Sequence, residues 1–375
     1  MVSERPNDVL LADFPKLPLP QERTDELVLS SVDWAHTDSF TGGLVEILKK
    51  VVDEGLAQRK TLVIQRSDYM CHKDPFSCEY SLRQIEVNNI ASSMGGHAER
   101  VTKMHRRTLL ELGYDNETIE RAIPANEPIK IIAEALYKAW QLFSIPDAVV
   151  LVVVEAENQN QIDQRHVEYA LEELGVPVDQ IVRKTLAQCD ECLTLSTERH
   201  LLLLGSRVAV LAEDGVVEKF VGHPRDAAAI RATFAGLWAI NGSHPVIDRL
   251  IKNAIAHPSR FVLKPQLEGG GGNFYGERMA EKLKTLTEEQ RGAYILMERI
   301  QPLVAENYLI RAMQPVELSR VVSELGVYGY ALGDRGIAEV RQGGHLLRTK
   351  SENVDEGGVT VGAAVIDSPF LYELL

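Results

Sequence analysis

The run Phe261-Val262-Leu263-Lys264-Pro265-Gln266-Leu267-Glu268, then Gly269 to Gly272, then Asn273-Phe274-Tyr275-Gly276, constrains this chain more than any other part of it. An apolar, β-prone stretch delivers a lysine, a carboxylate and then consecutive glycines. Without Cβ atoms such a loop can lie flat against a ligand and turn its N–H groups toward it. Lysine adds a point charge for phosphate, and glutamate a hard oxygen for Mg²⁺. The stretch reads as a cover over nucleotide phosphates and points to an ATP-using enzyme. It is not a P-loop, since no Lys-Ser/Thr follows the glycines. Nor is it a dinucleotide fingerprint, because Phe274 and Tyr275 sit where the third glycine would fall. The competing reading is a flexible linker, but such linkers are polar and Gly/Ser-rich.

A chain of 375 residues has room for about two or three domains. Its formal charge of −14 argues against a general nucleic-acid binder, which would carry a basic footprint. The longest apolar run, Ala148 to Val154, is too short to span a bilayer, and no charged-then-apolar leader opens the chain. The cysteines fall in local pairs, Cys71 with Cys78 and Cys189 with Cys192. The first pair flanks a polar loop between strand-like runs and suits a hairpin disulfide. The second is a C-x₂-C, open to a tight disulfide, half a zinc site or free thiols. Disulfides would place the protein outside the cytosol.

Periodicity orders the rest. After a proline-rich start, Gly43 to Glu54 has helical spacing. Thr61–Ile64 reads as a strand ended by Arg66-Ser67-Asp68-Tyr69, with Gln84–Ile90 as its hairpin partner. Helices follow near His97–Leu112 and Ile129–Phe143. Strand Ala148–Val154, helix Asp163–Leu174 and strand Gln180–Arg183 form a β-α-β alternation that implies a small parallel sheet. Short strands at His200–Leu204 and Val208–Leu211 precede helices at Pro224–Ala239 and Pro245–Ala256. The C-terminal third reads as strands at Tyr294–Glu298, Glu306–Arg311, Val321–Leu332 and Ile337–Leu347, before a second glycine loop, Asp355 to Gly362.

On a strand, Glu86 and Asn88 point to one face and offer oxygen ligands for Mg²⁺. A solvated strand face is the alternative. Arg66 can reach the same space, or form a surface ion pair. Arg348 and Lys350 are same-face cations beside a glycine loop, suited to an anionic ligand; an edge strand guarded by charge is the alternative. Tyr294 to Ile300 is a core strand by pattern, whose backbone can still meet a base such as adenine.

Taken together, Arg66 to Met70, Gln84 to Asn88, Asp163-Gln164-Arg165, Arg231 to Leu237, Phe261 to Gly276, Tyr294 to Glu298, Ser323 to Gly326 and Gly344 to Lys350 resemble, in order, eukaryotic-type glutathione synthetase. That resemblance implies an α/β ATP-grasp fold with an inserted small parallel-sheet substrate domain. Residues 1–144 would form the N-terminal core, 145–240 the shortened substrate domain, and 241–375 the lid and C-terminal ATP-binding part. It further implies a ligase in which ATP phosphorylates the carboxylate of a γ-glutamyl-thiol dipeptide and glycine attacks the acyl phosphate. Glu86, Asn88 and Glu268 would hold Mg²⁺. Lys264, Lys350, Asn273, Tyr275, Gly270 and Gly271 would meet ATP, Met297, Glu298, Arg299 and Ile300 would line the adenine pocket, and Glu324 would hold the ribose. Arg66 and Arg348 would stabilise charge at the reacting carboxylate. Ser93, Asn160 and Gln164 would touch the dipeptide, and Val359 and Thr360 lie in the loop closing over the second substrate.

Departures from the family pattern cluster on the dipeptide side. Glu213-Asp214-Gly215-Val216 stands where the family has Arg-Asp-Gly-Tyr, so repulsion replaces attraction for a substrate carboxylate. A segment carrying an ATP-contacting lysine is missing between Gly215 and the helix of Arg231. Ala91 replaces a serine. The N-terminal region that contributes to the family's homodimer is shorter. With the paired cysteines, these changes resemble the family's secreted, repurposed relatives in plant-parasitic nematodes. A ligase with altered substrate choice, a secreted effector and a nucleotide-binding pseudoenzyme are the expectations this leaves.

Overall fold

The computed structural model describes residues 61–74, 77, 79–89, 92–157, 160–185, 187–189, 224–266, 272–311, 313–334, 337–355, 357–359 and 362–371. The expected helix at Gly43–Glu54 and strands at His200–Leu204 and Val208–Leu211 lie outside them. In chain order the elements are β1 (Thr61–Lys73), β2 (Tyr80–Asn88), α1 (Gly95–Glu111), α2 (Asn116–Ala122), α3 (Pro128–Phe143), β3 (Val150–Val154), α4 (Gln161–Leu174) and β4 (Ile181–Thr185). There follow α5 (Pro224–Thr233), β5 (Leu237–Ala239), α6 (Pro245–Ala256), β6 (Phe261–Pro265), β7 (Phe274–Tyr275), α7 (Gly276–Thr285), α8 (Glu288–Arg291), β8 (Tyr294–Glu298), β9 (Val304–Tyr308), β10 (Leu318–Asp334), β11 (Ile337–Ser351) and β12 (Val365–Asp367).

The largest sheet is 6-stranded, in the order β12-β11-β10-β1-β2 with β9 also on β10. Its pairings are antiparallel throughout. Alternation along β1 puts Leu62, Ile64, Arg66 and Asp68 on one face. Register adds Tyr330 opposite Ile64, Tyr328 opposite Arg66 and Gly326 opposite Asp68. One half of this face is apolar. Leu62, Ile64, Tyr328, Tyr330, Leu332 and Leu346 are buried there with Ala98 of α1 and Ile131, Ile132 and Ala135 of α3. The other half, beyond the helices, is charged.

A 4-stranded sheet, β5-β8-β6-β7, forms a smaller layer. Its core joins Phe261, Leu263 and Leu296 to Ile251 and Ala254 of α6 and Met279 and Leu283 of α7. The expected β-α-β unit is present: β3 and β4 pair in parallel around α4, which buries Leu171 against α3.

Several expectations are corrected. Strand β1 does not end before Arg66 but runs on to Lys73, because Arg66 and Asp68 satisfy each other inside the sheet. The helix expected over Pro224–Ala239 stops at Thr233, and Leu237–Ala239 instead becomes β5, paired with β8. Just ahead of β5, a Cβ at Gly236 would lie 2.2 Å from the Trp238 ring, so the approach of that ring requires glycine. Strand β9 spans Val304–Tyr308 rather than Glu306–Arg311, fixed by its register with Leu318–Val322. Cys71 faces Leu82 across the hairpin and is a free thiol, as is Cys189, so neither carries the disulfide that local spacing suggested. Burial pushes the Cys71 thiol up to about 11, which makes it a poor nucleophile. Cys78 and Cys192 lie outside the described residues. No described helix is long and apolar enough to cross a membrane.

His345 on β11 is buried, its backbone N–H and carbonyl both bonded to the Asn126 side chain, at 2.7 and 2.9 Å. Its Nε2 has no hydrogen-bond partner. Burial lowers its pKa from 6.5 to about 4. The unfolded chain therefore takes up a proton between those values that the fold refuses. Stability is full above pH 6.5 and falls as the pH drops toward 4, by up to about 3 kcal/mol. Buried His72, also lowered, adds to the same slope. Urea unfolding at pH 7 and pH 4.5 is expected to show this loss, and His345→Phe to reduce it; an unchanged slope in that variant contradicts the assignment.

Candidate functional site

The charged half of the large sheet is assembled by cross-strand register. Arg66 pairs with Asn88 and Asp68 with Glu86 across β1–β2. Glu324 pairs with Arg348 across β10–β11. Cross-strand partners share a face, so these side chains meet above one patch of backbone. Asp68 and Arg66 are almost fully buried, at 0% and 4% exposure. The Arg66 guanidinium grips Asp68 with two bonds, Nε to Oδ1 at 2.7 Å and a terminal nitrogen to Oδ2 at 2.8 Å. Its other terminal nitrogen donates to the Ser93 carbonyl at 2.9 Å, which the Tyr328 hydroxyl also reaches, at 2.6 Å. Arg348 donates to Asp68 Oδ2 at 3.1 Å, lies 3.6 Å from Glu86 and pairs with Glu324.

The electrostatics follow from this geometry. Burial alone would lower the Arg66 pKa, but the Asp68 charge raises it overall. Burial raises the Asp68 carboxyl, against the pull of Arg66 and Arg348. Burial lowers Arg348, with Arg66 adding to that and Asp68 opposing it. For Glu86, burial acts upward, but Lys264, an Asn88 hydrogen bond and Arg348 together hold the carboxyl down at about 2. It is therefore an anion at every physiological pH, and its side chain stays 41% exposed to the cleft.

Lys264 comes from β6 of the smaller sheet and donates to the Ile85 carbonyl at 3.3 Å, bridging the two sheets next to Glu86. A second group gathers at the second glycine loop. Lys350 donates to the Asp355 carbonyl at 2.7 Å, and the Tyr275 hydroxyl approaches the same oxygen at 3.4 Å. Arg299 pairs with the Asp355 carboxylate at 3.1 Å and stacks on the Tyr275 ring at 5.5 Å. Asn273 contacts Tyr275 at 3.4 Å. Met297 is buried in β8, Glu298 accepts from the Gly236 N–H at 3.2 Å, and Ile300 follows at the strand end.

The remaining sequence-derived positions stand apart or unseen. Asn160 and Gln164 sit at the start of α4, with Asn160 donating to Asp163 at 3.1 Å and Gln164 accepting from Arg183 at 2.7 Å. Val359 lies in a turn closed by its carbonyl and Gly362 at 3.0 Å. Glu268, Gly270, Gly271, Thr360, Ala91 and Glu213 lie outside the described residues. Glu324, expected at a ribose, pairs with Arg348 in the charged cluster.

Two residues that the sequence reading gave no role hold the site together. Asp68 is one. Asp163 is the other: from α4 it accepts the N–H groups of Met94, Gly96 and His97 at 2.6, 2.8 and 3.3 Å. It thereby caps α1 from another element and fixes the turn in which Met94 adopts a positive φ of 74°. That turn presents the Ser93 carbonyl to Arg66. The Arg66-x-Asp68 spacing carried a signal for the first, since alternate strand residues share a face. Nothing local marked the second.

A hard cation fits this donor set. The carboxylate oxygens of Asp68, Glu86 and Glu324 lie within 4.8 Å of one another; Asp68 is enclosed by its own donors, Glu86 is the exposed one, and Asn88 stands beside it, its nitrogen 2.9 Å from Asp68 and 3.1 Å from Glu86. A charged sheet face approached by a lysine from a smaller sheet makes this an ATP-grasp protein. The family description "Eukaryotic glutathione synthase, ATP binding domain" matches residues 25–371. Glutathione synthetase of Homo sapiens is 35% identical over 383 residues, covering 89% of this chain and 79% of its own. The chloroplastic glutathione synthetase of Solanum lycopersicum is 34% identical, covering 89% and 68%. A solved structure of a glutathione synthetase like-effector, GSS30, from Globodera pallida in apoform superposes with a TM-score of 0.67 at 24% identity, over 93% of this chain and 85% of that one. The chain belongs to the eukaryotic glutathione synthase family.

Replacing Asp163 strands those N–H groups at the start of α1. We expect Asp163→Ala to lower unfolding free energy by about 2 kcal/mol and Asp163→Asn by less, because the amide keeps one acceptor. Denaturant titration measures both; equal stability of Asp163→Ala and the native chain contradicts the capping role.

Proposed function

We propose that the protein is an ATP-dependent carboxylate–amine ligase of glutathione-synthetase type, joining a γ-glutamyl-thiol dipeptide to glycine or a related amine. One observation carries the reading: Arg66, Glu86, Asn88, Glu324 and Arg348 converge on one sheet face that Lys264 approaches from the smaller sheet. In this reading Glu86 and Asn88, with Glu268, hold Mg²⁺, which supplies neutralisation of charge on the transferring phosphoryl group. Lys264 and Lys350 bind phosphates, Tyr275 and Asn273 belong to the cover, and Met297 to Ile300 line the base. Arg66 and Arg348, already rigid, stabilise negative charge on the activated carboxylate without reorganising. Residues 145–240, with Asn160 and Gln164, form the dipeptide unit, and the loop of Val359 and Thr360 excludes water once closed.

A second reading is a nucleotide-binding relative without the parental turnover, an effector like the Globodera pallida protein. It is favoured by Glu213, an acid where the family has an arginine for the dipeptide. The free thiols of Cys71 and Cys189 withdraw the disulfide argument for secretion.

Purified full-length chain should release ADP and form glutathione from Mg·ATP, γ-glutamylcysteine and glycine, and Glu268→Ala should abolish both. ATP binding without glutathione favours the second reading. Absence of ATP binding overturns both.

A further inference from the structure

One carboxylate in this site has no free surface and four donors. Asp68 Oδ1 takes Arg66 Nε at 2.7 Å, and Oδ2 takes Arg66 at 2.8 Å, Asn88 Nδ2 at 2.9 Å and Arg348 at 3.1 Å. Asn88 turns its NH₂ toward Asp68, donating through Nδ2 to Oδ2. The same NH₂ gives its second hydrogen to Glu86 Oε1 at 3.1 Å. With both hydrogens committed, Asn88 has only its oxygen left to offer. A carboxamide is a cation ligand through oxygen alone, so the orientation of this amide decides whether position 88 attracts or repels a cation.

The carboxylate is also unable to retreat. Gly326 lies beneath it, and a Cβ there would stand 2.6 Å from Asp68 Oδ1 and 2.9 Å from Arg66 Cδ. Bare backbone at this position lets the Arg66–Asp68 pair lie flat against β10.

We propose that Asp68 is the positioning residue of the site: its buried carboxylate fixes Asn88 with the oxygen outward as a cation ligand and locks Arg66 and Arg348 into one rigid pair. The inference rests on Glu86 and Asn88 being the cation ligands named under Proposed function. Asp68 itself, enclosed by its donors, touches neither cation nor substrate. It acts as outer partners of metal ligands do, and losing such a partner typically weakens metal binding roughly 10- to 100-fold.

The test uses the full chain, a non-hydrolysable ATP analogue and Mn²⁺ as a paramagnetic probe, with free Mn²⁺ read by electron paramagnetic resonance and folding checked by melting. Asp68→Asn keeps the shape but frees the Asn88 amide to turn over, and Mn²⁺ affinity should fall at least tenfold. Asp68→Asn with Asn88→Asp conserves the net charge and places an oxygen on both sides of position 88. The affinity lost through Asp68→Asn should also be several-fold smaller in an Asn88→Asp background than in the native chain, because position 88 then presents oxygen whichever way it turns; a merely structural role gives the same loss in both. If folded Asp68→Asn binds Mn²⁺ like the native chain, or the loss is the same in both backgrounds, the inference is overturned. Should Asp68→Asn fail to fold, Gly326→Ala carries the test: displacing the carboxylate with no charge change should weaken Mn²⁺ binding, and unchanged binding overturns the inference. Native chain that binds the analogue without Mn²⁺ dependence overturns the cation reading beneath it as well.

Discussion

The buried ion pair between Arg66 and Asp68 is the interaction on which the rest of the site depends. Two charges out of water are costly unless every lone pair and N–H is matched, and here the match is made by Asn88, Arg348 and the Ser93 carbonyl. Because the pair is satisfied, β1 can run as a central strand from Leu62 in the apolar core to Lys73 beyond the site. Removing one partner would leave a buried charge uncompensated, at a cost of about 3–5 kcal/mol. Core and site are thus two halves of one sheet face, and the precision of the second is inherited from the packing of the first.

Charge balance explains why so many charged groups can pack into one cluster. Arg66, Arg348 and Lys264 face Asp68, Glu86 and Glu324, so cations and carboxylates neutralise one another. Fixed and mutually oriented charges of this kind stabilise a developing charge without first rearranging. The same balance makes the site sensitive to any change of sign within it. An arginine lost from the pair would leave carboxylates within 4.8 Å of one another with less to hold them apart.

Strand-level features were legible because they are local. Period-2 spacing put Glu86 and Asn88 on one face, and the apolar run before Lys264 read correctly as a strand. The β-α-β unit around α4 was readable from its apolar first strand. What was missed depends on distant chain. Arg66 and Asp68 look like the polar end of a strand until β10 and β11 cover them, with Arg348 280 residues from Asp68. Asp163 sits inside a helical pattern, and its capping role appears only when α4 meets the start of α1, 69 residues from Met94. Leu237-Trp238-Ala239 is as compatible with a helix as with a strand until β8 offers a partner, so periodicity alone extends α5 too far. The hairpin at Cys71 suggested a disulfide, but register assigned Leu82 as the facing residue.

A crystal structure of the chain with Mg²⁺ and an ATP analogue tests the central claim most directly. The account predicts a cation about 2.1 Å from a Glu86 oxygen and from Asn88 Oδ1, with Asp68 still bound to both arginines and outside the coordination sphere. A cation bound directly by Asp68, or Asn88 with its nitrogen toward the metal side, would contradict it.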